Sequence, residues 1–195
     1  LGVKLLNQKE LESGFGLINF EHEKISLGLF KNLAIVHSIT LPIGINHIIR
    51  DISKVCSLNM DESESIINKI DFSFENKTKL FDESNYLKND FFSRSSYKKI
   101  SKDLILNVVQ ARLNETLNLL KKQLIVPGFD LLSGANFLLE GEGSKLLNLE
   151  KYLISFFGIN VKKKINENES LKNNFTASLG AIKIIVDGWE TEALP

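Results

Sequence analysis

Three short runs with strand character open the patterned part of the chain, between Phe15 and Leu41. Phe15–Phe20 is apolar on both faces and reads as a strand buried on both sides. After the polar tetrad Glu21-His22-Glu23-Lys24, residues Ile25, Leu27 and Leu29 alternate with Ser26 and Gly28, giving a second strand that ends at Phe30. Lys31-Asn32 reads as a tight two-residue turn. A third strand follows over Leu33–Leu41. Leu33, Ile35, His37, Ile39 and Leu41 fall on one face, with Ala34, Val36, Ser38 and Thr40 on the other. The pattern predicts an antiparallel meander.

The period then changes. Pro42 and Gly44 end the meander, Asn46 reads as a helix N-cap, and Ile48, Ile49, Ile52 and Val55 mark a short helix behind it. Asn59 can cap a second helix, whose first turns hold Asp61, Glu62 and Glu64, where the helix dipole favours negative charge. Between 71 and 93, Phe72, Phe74, Leu80, Phe81, Tyr86, Phe91 and Phe92 scatter among polar residues, consistent with a small subdomain containing a hairpin. From Ile100 to Leu124 apolar residues recur at steps of three and four, through Leu104, Ile105, Val108, Val109, Leu113, Leu117 and Leu120, which predicts a long amphipathic helix. Pro127-Gly128 stops it. Phe129–Leu132 reads as a buried strand, 144–157 as a helix closed by Gly158, Ile159–Ile165 as a last strand and Phe175–Val186 as a last helix.

The order is three antiparallel strands, helices, strand, helix, strand, helix. Right-handed crossovers put strands four and five parallel to the first, on its free side. The predicted fold is α/β: a mixed five-stranded sheet of order 3-2-1-4-5 with helices on both faces, the layout of one half of an actin-like, ribonuclease-H-like molecule. Residues 1–43 and 125–195 would form the sheet subdomain and 44–124 an inserted helical subdomain with a possible hairpin.

Composition narrows the partners. Of 195 residues, 43% are apolar and 25% charged, and 24 basic residues balance 24 acidic ones, so no overall field draws the chain to nucleic acid. One cysteine, Cys56, excludes a disulfide framework and a Cys-based zinc site, and suits a reducing, cytoplasmic setting. No run of apolar residues is long enough to span a bilayer, and the first residues show no signal-peptide pattern. A start at Leu1 rather than Met leads to the expectation of a piece of a longer protein.

In this architecture a nucleotide sits at the carboxyl ends of strands one and four, with its phosphates on the first hairpin. A phosphate cradle needs glycines, so that backbone N–H groups can approach the anion, and a carboxylate at the end of strand one to hold magnesium through water. Here strand one ends in Asn19 and the loop is Glu21-His22-Glu23. Two carboxylates at ~5 Å would each repel a phosphate by about 1 to 3 kcal/mol. Weak or absent Mg-ATP binding is therefore expected, with no metal and weak or no ATPase activity.

Consecutive side chains on a loop diverge, so Glu21, His22 and Glu23 read as a solvated loop rather than a metal site. His37 reads as a satisfied core or edge histidine, and His47 as a packing or capping residue. The serines at 93, 95 and 96 lack the His and Asp of a nucleophile site. Leu131–Asn136 is a strand entering a small-residue turn that could receive a nucleobase, and Lys162–Lys164 reads as a solvated strand end.

Taken in order, these residues resemble a known family. Leu17–Phe20, Ile25–Phe30, Val36-His37-Ser38 and Leu41–Ile48 with Asp51-Ile52 resemble the second half of FtsA, the actin homologue of bacterial cell division. There a strand, a Gly-rich hairpin and a segment P-x-G-G-N-H-I-T-x-D-I follow one another. Asp61–Glu64 resembles the family's acidic helix start, Arg112 and Glu115 its A-R-V-E-E spacing, Leu132–Ala135 its L-T-G-G adenosine turn, and Phe175–Ala177 with Gly180 its closing helix. The similarity runs from about Gly14 to about Val186.

The resemblance places a nucleotide site on Asn19, Glu21, His22, Glu23, Glu64, Ser133, Gly134 and Ala135, and it is there that the chain departs from the family. Asn19 stands for the hairpin Asp, Glu21, His22 and Glu23 for three glycines, Lys24 and Ile25 for two threonines, and Ile45 for a glycine before Asn-His. Glu64 matches a ribose or base contact, but Ile67 replaces a lysine and Ala135 a glycine. The resemblance implies a cytoplasmic adaptor at the division site that self-associates and binds the FtsZ C-terminal tail on 44–124. It implies a membrane anchor through a C-terminal amphipathic helix that 190–195 does not supply. An ATPase or sugar-kinase half on the same scaffold, and a pilus-assembly actin homologue, are the competing readings.

Overall fold

The computed structural model describes residues 14–32, 34–74, 79–123 and 136–163. Five strands form one sheet: β1 (Phe15–Phe20), β2 (Ile25–Lys31), β3 (Ala34–Leu41), β4 (Asn136–Glu140) and β5 (Asn160–Lys163). Their order is β3-β2-β1-β4-β5. β1 pairs antiparallel with β2 and β2 with β3, whereas β4 runs parallel to β1 and β5 parallel to β4. The mixed topology expected from the crossovers is the one observed.

The fourth strand is not the segment expected. Phe129–Leu132 lies outside the described residues, and the strand beside β1 is Asn136–Glu140, with Phe15 opposite Asn136 and Asn19 opposite Glu140. Its polar ends hid it: Asn136 follows Gly134-Ala135 and reads as a turn, and Glu140 interrupts the apolar run. Yet Phe137, Leu138, Leu139 and Glu140 are all buried, because the strand is enclosed between β1 and β5. Of the last strand, expected over Ile159–Ile165, Asn160–Lys163 is described, and 164–165 and the helix expected over Phe175–Val186 lie outside the described residues.

The β2–β3 connection also shifts. Lys31 is already paired with Ala34, so the turn begins at Asn32, whose φ of 51° suits its asparagine. Further along, Leu29 opposes His37 and Phe30 opposes Ile35, leaving Val36 as an extra residue on β3. This bulge overturns the expectation that Ile35 and His37 share a face, because one inserted residue reverses the alternation. Ile35 is accordingly 58% exposed. His37 is half-buried, and its Nε2 is enclosed without a hydrogen-bond partner, so it is not the satisfied histidine expected. A bulge on an edge strand also discourages pairing with other chains.

Among the described residues four α-helices accompany the sheet: α1 (Ile45–Cys56), α2 (Met60–Ile67), α3 (Lys102–Gln123) and α4 (Leu149–Phe157). Ile18, Phe20, Ile25, Leu27, Leu29, Phe137 and Leu139 from the sheet meet Ile48, Ile49 and Ile52 of α1 in one apolar core. Ile66 and Ile67 of α2, Ile105, Val109, Leu113, Leu117 and Leu120 of α3, and Leu149 and Leu153 of α4 also belong to it. The other sheet face holds Phe15, Leu17 and Leu138, where the rings of Phe15 and Phe30 stack 4.6 Å apart.

Helix ends follow local chemistry. Asn59 caps α2 as expected, accepting from the Glu62 amide at 3.0 Å, while the Glu62 carboxylate accepts from the Asn59 amide at 3.1 Å. For α1 the cap is Gly44 rather than Asn46, which lies within the first turn. His47 does cap: its Nδ1 accepts from the Gly44 amide at 3.1 Å. Over 81–101 two isolated antiparallel bridges, Phe81 with Leu87 and Tyr86 with Ser101, occupy the region where a hairpin was expected. At ~1.5 Å per residue α3 is roughly 33 Å long. Its buried stripe matches the periodicity except for Leu104, which is exposed.

The helix expected over 144–157 is broken in two. A 3-10 turn covers Glu142–Lys145, and α4 starts only after Asn148, which sits at φ 60°. Tertiary contacts hold the break. The Asn148 side-chain Nδ2 donates to Asp71 Oδ1 at 2.9 Å, and the Leu147 carbonyl accepts from the Phe72 backbone amide at 2.9 Å. Tyr152 of α4 donates its hydroxyl to Asn114 Oδ1 of α3 at 2.6 Å. Tyr152→Phe is expected to lower stability by about 1 kcal/mol, read as a shift in urea midpoint with unchanged slope.

Candidate functional site

β1 and β4 run parallel and end side by side, with Asn19 opposite Glu140. Beyond them lie two turns: 21–24, joining β1 to β2, and 141–145, following β4. In an open α/β sheet this carboxyl end is where a ligand is expected. The turns therefore decide what the site can hold.

The first turn is closed by its own side chains. Asn19 Nδ2 donates to Glu21 Oε1 at 2.8 Å, and Lys24 Nζ lies 3.4 Å from Glu21 Oε2. The Glu21 amide donates to the Lys24 carbonyl at 2.9 Å, so it faces into the hairpin rather than toward an anion. Glu23 turns the other way, accepting from Asn46 Nδ2 at 2.6 Å and pairing with Arg50 at 3.2 Å. The Asn46 hydrogen bond, with help from Arg50, lowers the Glu23 carboxyl pKa below its ordinary value. The Glu21 and Glu23 side chains thus point apart, and no group of three or more His, Cys, Asp or Glu that could hold a metal ion occurs among the described residues.

Helix α1 abuts this turn through its first amides. Ile45 donates to the Glu21 carbonyl at 3.1 Å and Asn46 to the His22 carbonyl at 2.8 Å. The positive end of the helix, a ready place for a phosphate, is therefore taken by the hairpin backbone. Gly44 makes the approach possible. A Cβ there would stand 2.3 Å from the His22 carbonyl oxygen and 2.6 Å from that of Glu21.

The second turn supplies residues that the sequence reading passed over. Ser133, Gly134 and Ala135 lie outside the described residues, while Gly141 and Gly143 lie directly after β4. Gly141 has φ 75°, and a Cβ on it would come within 2.5 Å of Asn19 Oδ1. One on Gly143 would come within 2.8 Å of the Phe20 Cβ. These glycines let the turn lie against the end of β1. Their signal was available in Leu139-Glu140-Gly141-Glu142-Gly143-Ser144, a strand end running into two spaced glycines. The turn adds acid: Glu140 is buried, and Glu142 pairs with Lys145 at 2.7 Å.

Glu64, the remaining expected site residue, is exposed on α2. Its neighbour Glu62 is the more consequential acid. Only 2% exposed, its carboxylate accepts from the amides of Arg94 and Ser95 at 2.8 and 2.9 Å, and from the Ser95 hydroxyl at 2.6 Å. Burial opposes its charge, but the Ser95 hydroxyl and the amides of Arg94, Ser95 and Asn59 outweigh it and hold the carboxyl at about 2. Within the Ser93–Ser96 cluster, Arg94 and Ser95 thus serve a structural anchor. A second network joins the helices: Arg112 of α3 donates to Asp51 of α1 at 2.6 Å and to Glu115 at 2.5 Å.

No family model matches the chain. It is 22% identical over 161 residues to the cell division protein FtsA of Agrobacterium fabrum (strain C58 / ATCC 33970), and to the same extent to that of Rhizobium radiobacter. Each match covers 83% of this chain and 36% of the relative, so the chain spans about a third of the curated relatives' length. Among solved structures, MreB5 of Spiroplasma citri bound to AMPPNP superposes with a TM-score of 0.65 at 19% identity, over 96% of this chain and 59% of that one. The archaeal actin homologue Ta0583 gives 0.59 at 15% identity, over 93% and 52%. A PilM-PilN type IV pilus biogenesis complex gives 0.58 at 17%, over 90% and 47%. The chain thus has the architecture of one half of an actin-like molecule, with a weak sequence similarity to FtsA along most of its length.

Proposed function

We propose that this chain is the partner-binding half of an FtsA-like cell-division adaptor whose nucleotide site no longer grips phosphate. The observation that carries the reading is the closed first turn: its acidic side chains and the α1 amides that bind its carbonyls occupy the place of a phosphate cradle. The rest of the scaffold is kept, which suits a role in assembly rather than hydrolysis. Mg-ATP titrated calorimetrically is expected to bind no tighter than about millimolar. A micromolar affinity would restore the reading as an ATPase or sugar-kinase half.

The FtsZ C-terminal tail is the partner this reading assigns to 44–124. That region exposes Val55, Met60, Tyr97 and Leu104. It also carries an open groove of about 610 Å³ lined by Asp82, Leu87, Lys88, Asn89, Asp90 and Tyr97. An FtsZ-tail peptide followed by fluorescence anisotropy is expected to bind saturably, and Tyr97→Ala to weaken it about tenfold, the scale of one lost aromatic anchor. Absence of saturable binding would remove FtsZ as the partner and leave a pilus-type tail as the one to try. Self-association and attachment to a membrane belong to the same reading. No helix among the described residues is long and apolar enough to cross a membrane.

A further inference from the structure

The turn after β1 is joined to α1 by more than backbone. Glu23 Oε1 accepts from Asn46 Nδ2 at 2.6 Å and from an Arg50 guanidinium nitrogen at 3.2 Å, and its Oε2 accepts from the same nitrogen at 3.4 Å. Asn46 and Arg50 stand four residues apart and so share one face of the helix. An amide and a guanidinium on the first turns of a helix, at its positive end, make a donor set suited to an anion. The group found there is the chain's own carboxylate.

We propose that Glu23 is an internal anion that latches the β1–β2 turn to α1, so that this half of the fold holds its hairpin against the helices without a bound phosphate. The latch acts beside the two backbone bonds from Ile45 and Asn46 to the Glu21 and His22 carbonyls. Glu21 takes no part, being held by Asn19 and Lys24 on the sheet side. Because α1 packs on α2 and α3, the latch transmits the position of the β1–β2 turn to the helical region. The inference goes beyond the adaptor reading and is tested on the protein alone, without FtsZ or nucleotide, so each can fail separately.

Hydrogen exchange of the Ile45 and Asn46 amides reads the latch directly. Glu23→Ala is expected to raise their exchange about threefold, the scale of an exposed ion pair with one added hydrogen bond, leaving the Val109 and Leu113 amides of α3 unchanged. Glu23→Gln, which retains an acceptor for Asn46 but not the charge for Arg50, should fall between. Arg50→Ala should add little to Glu23→Ala in a double-mutant cycle. About 1 M salt should bring the wild-type protein close to Glu23→Gln. Unchanged exchange at Ile45 and Asn46 in Glu23→Ala, or full additivity with Arg50→Ala, overturns the proposal.

Discussion

Replacing Glu62 by glutamine is expected to lower the unfolding free energy by about 2 to 4 kcal/mol, the largest effect of any polar substitution in the described residues. The carboxylate is buried and accepts from the amides of Asn59, Arg94 and Ser95 and from the Ser95 hydroxyl. Glutamine offers one acceptor where glutamate offers two. Its NH2 would have to face the Asn59 amide, donor against donor. Alanine would leave three amides and a hydroxyl to find water within a packed junction, and should cost at least as much. Urea denaturation of both variants checks this. A loss under 1 kcal/mol would mean that water reaches the site.

The same group sets a pH dependence. Its folded-state pKa, about 2, lies below the ordinary 4.5, so its stabilisation is fully present above about pH 4.5. As the pH falls from there toward 2, the unfolded chain takes up the proton first and that stability is lost. In Glu62→Gln this component of the acid destabilisation should be absent. Thermal melts of the two proteins between pH 5 and 3 should therefore converge.

Gly44→Ala is the second large effect. Its φ of −124° is open to alanine, so the harm is purely steric. The added Cβ would overlap the Glu21 and His22 carbonyls, the groups that accept from the first α1 amides. Backbone on both sides must give way, so the hairpin and α1 separate. A loss of about 2 to 3 kcal/mol follows, with a fall in melting temperature of roughly 4 to 12 °C for a chain of this size. Exchange should speed at Ile45 and Asn46 before it does in α3. A melting temperature within a degree of the wild-type value would mean that the contact is looser than described.

How much of this was legible beforehand varies by element. β1 and β2 were, because a strand covered on one face or both writes its burial into consecutive residues. α3 was too, since a 22-residue helix repeats its pattern many times over. β4 was not, because Asn136 and Glu140 are polar at its ends and only enclosure between β1 and β5 makes the segment a strand. Nor was the break before α4, where Asn148 adopts a left-handed backbone held by Asp71, 77 residues away. Glu62 looked like an ordinary first-turn acid, and nothing local announced that Arg94 and Ser95 would fold over it.

The candidate site divides the same way. That the first turn holds acids and no glycine at 21–23 could be read directly from the residue types. Where those side chains went could not. Glu23 reaches Asn46 and Arg50, 23 and 27 residues on, and Gly44 matters only because the hairpin carbonyls pass it at contact distance. The amino-acid order by itself determined the periodicities of β1, β2 and α3 and the acidity of the first turn, all set by neighbours within a few residues, while the order of the strands followed from the handedness of their connections. Tertiary structure decided which polar groups became buried partners, because a hydrogen bond between distant residues depends on packing that no local pattern encodes.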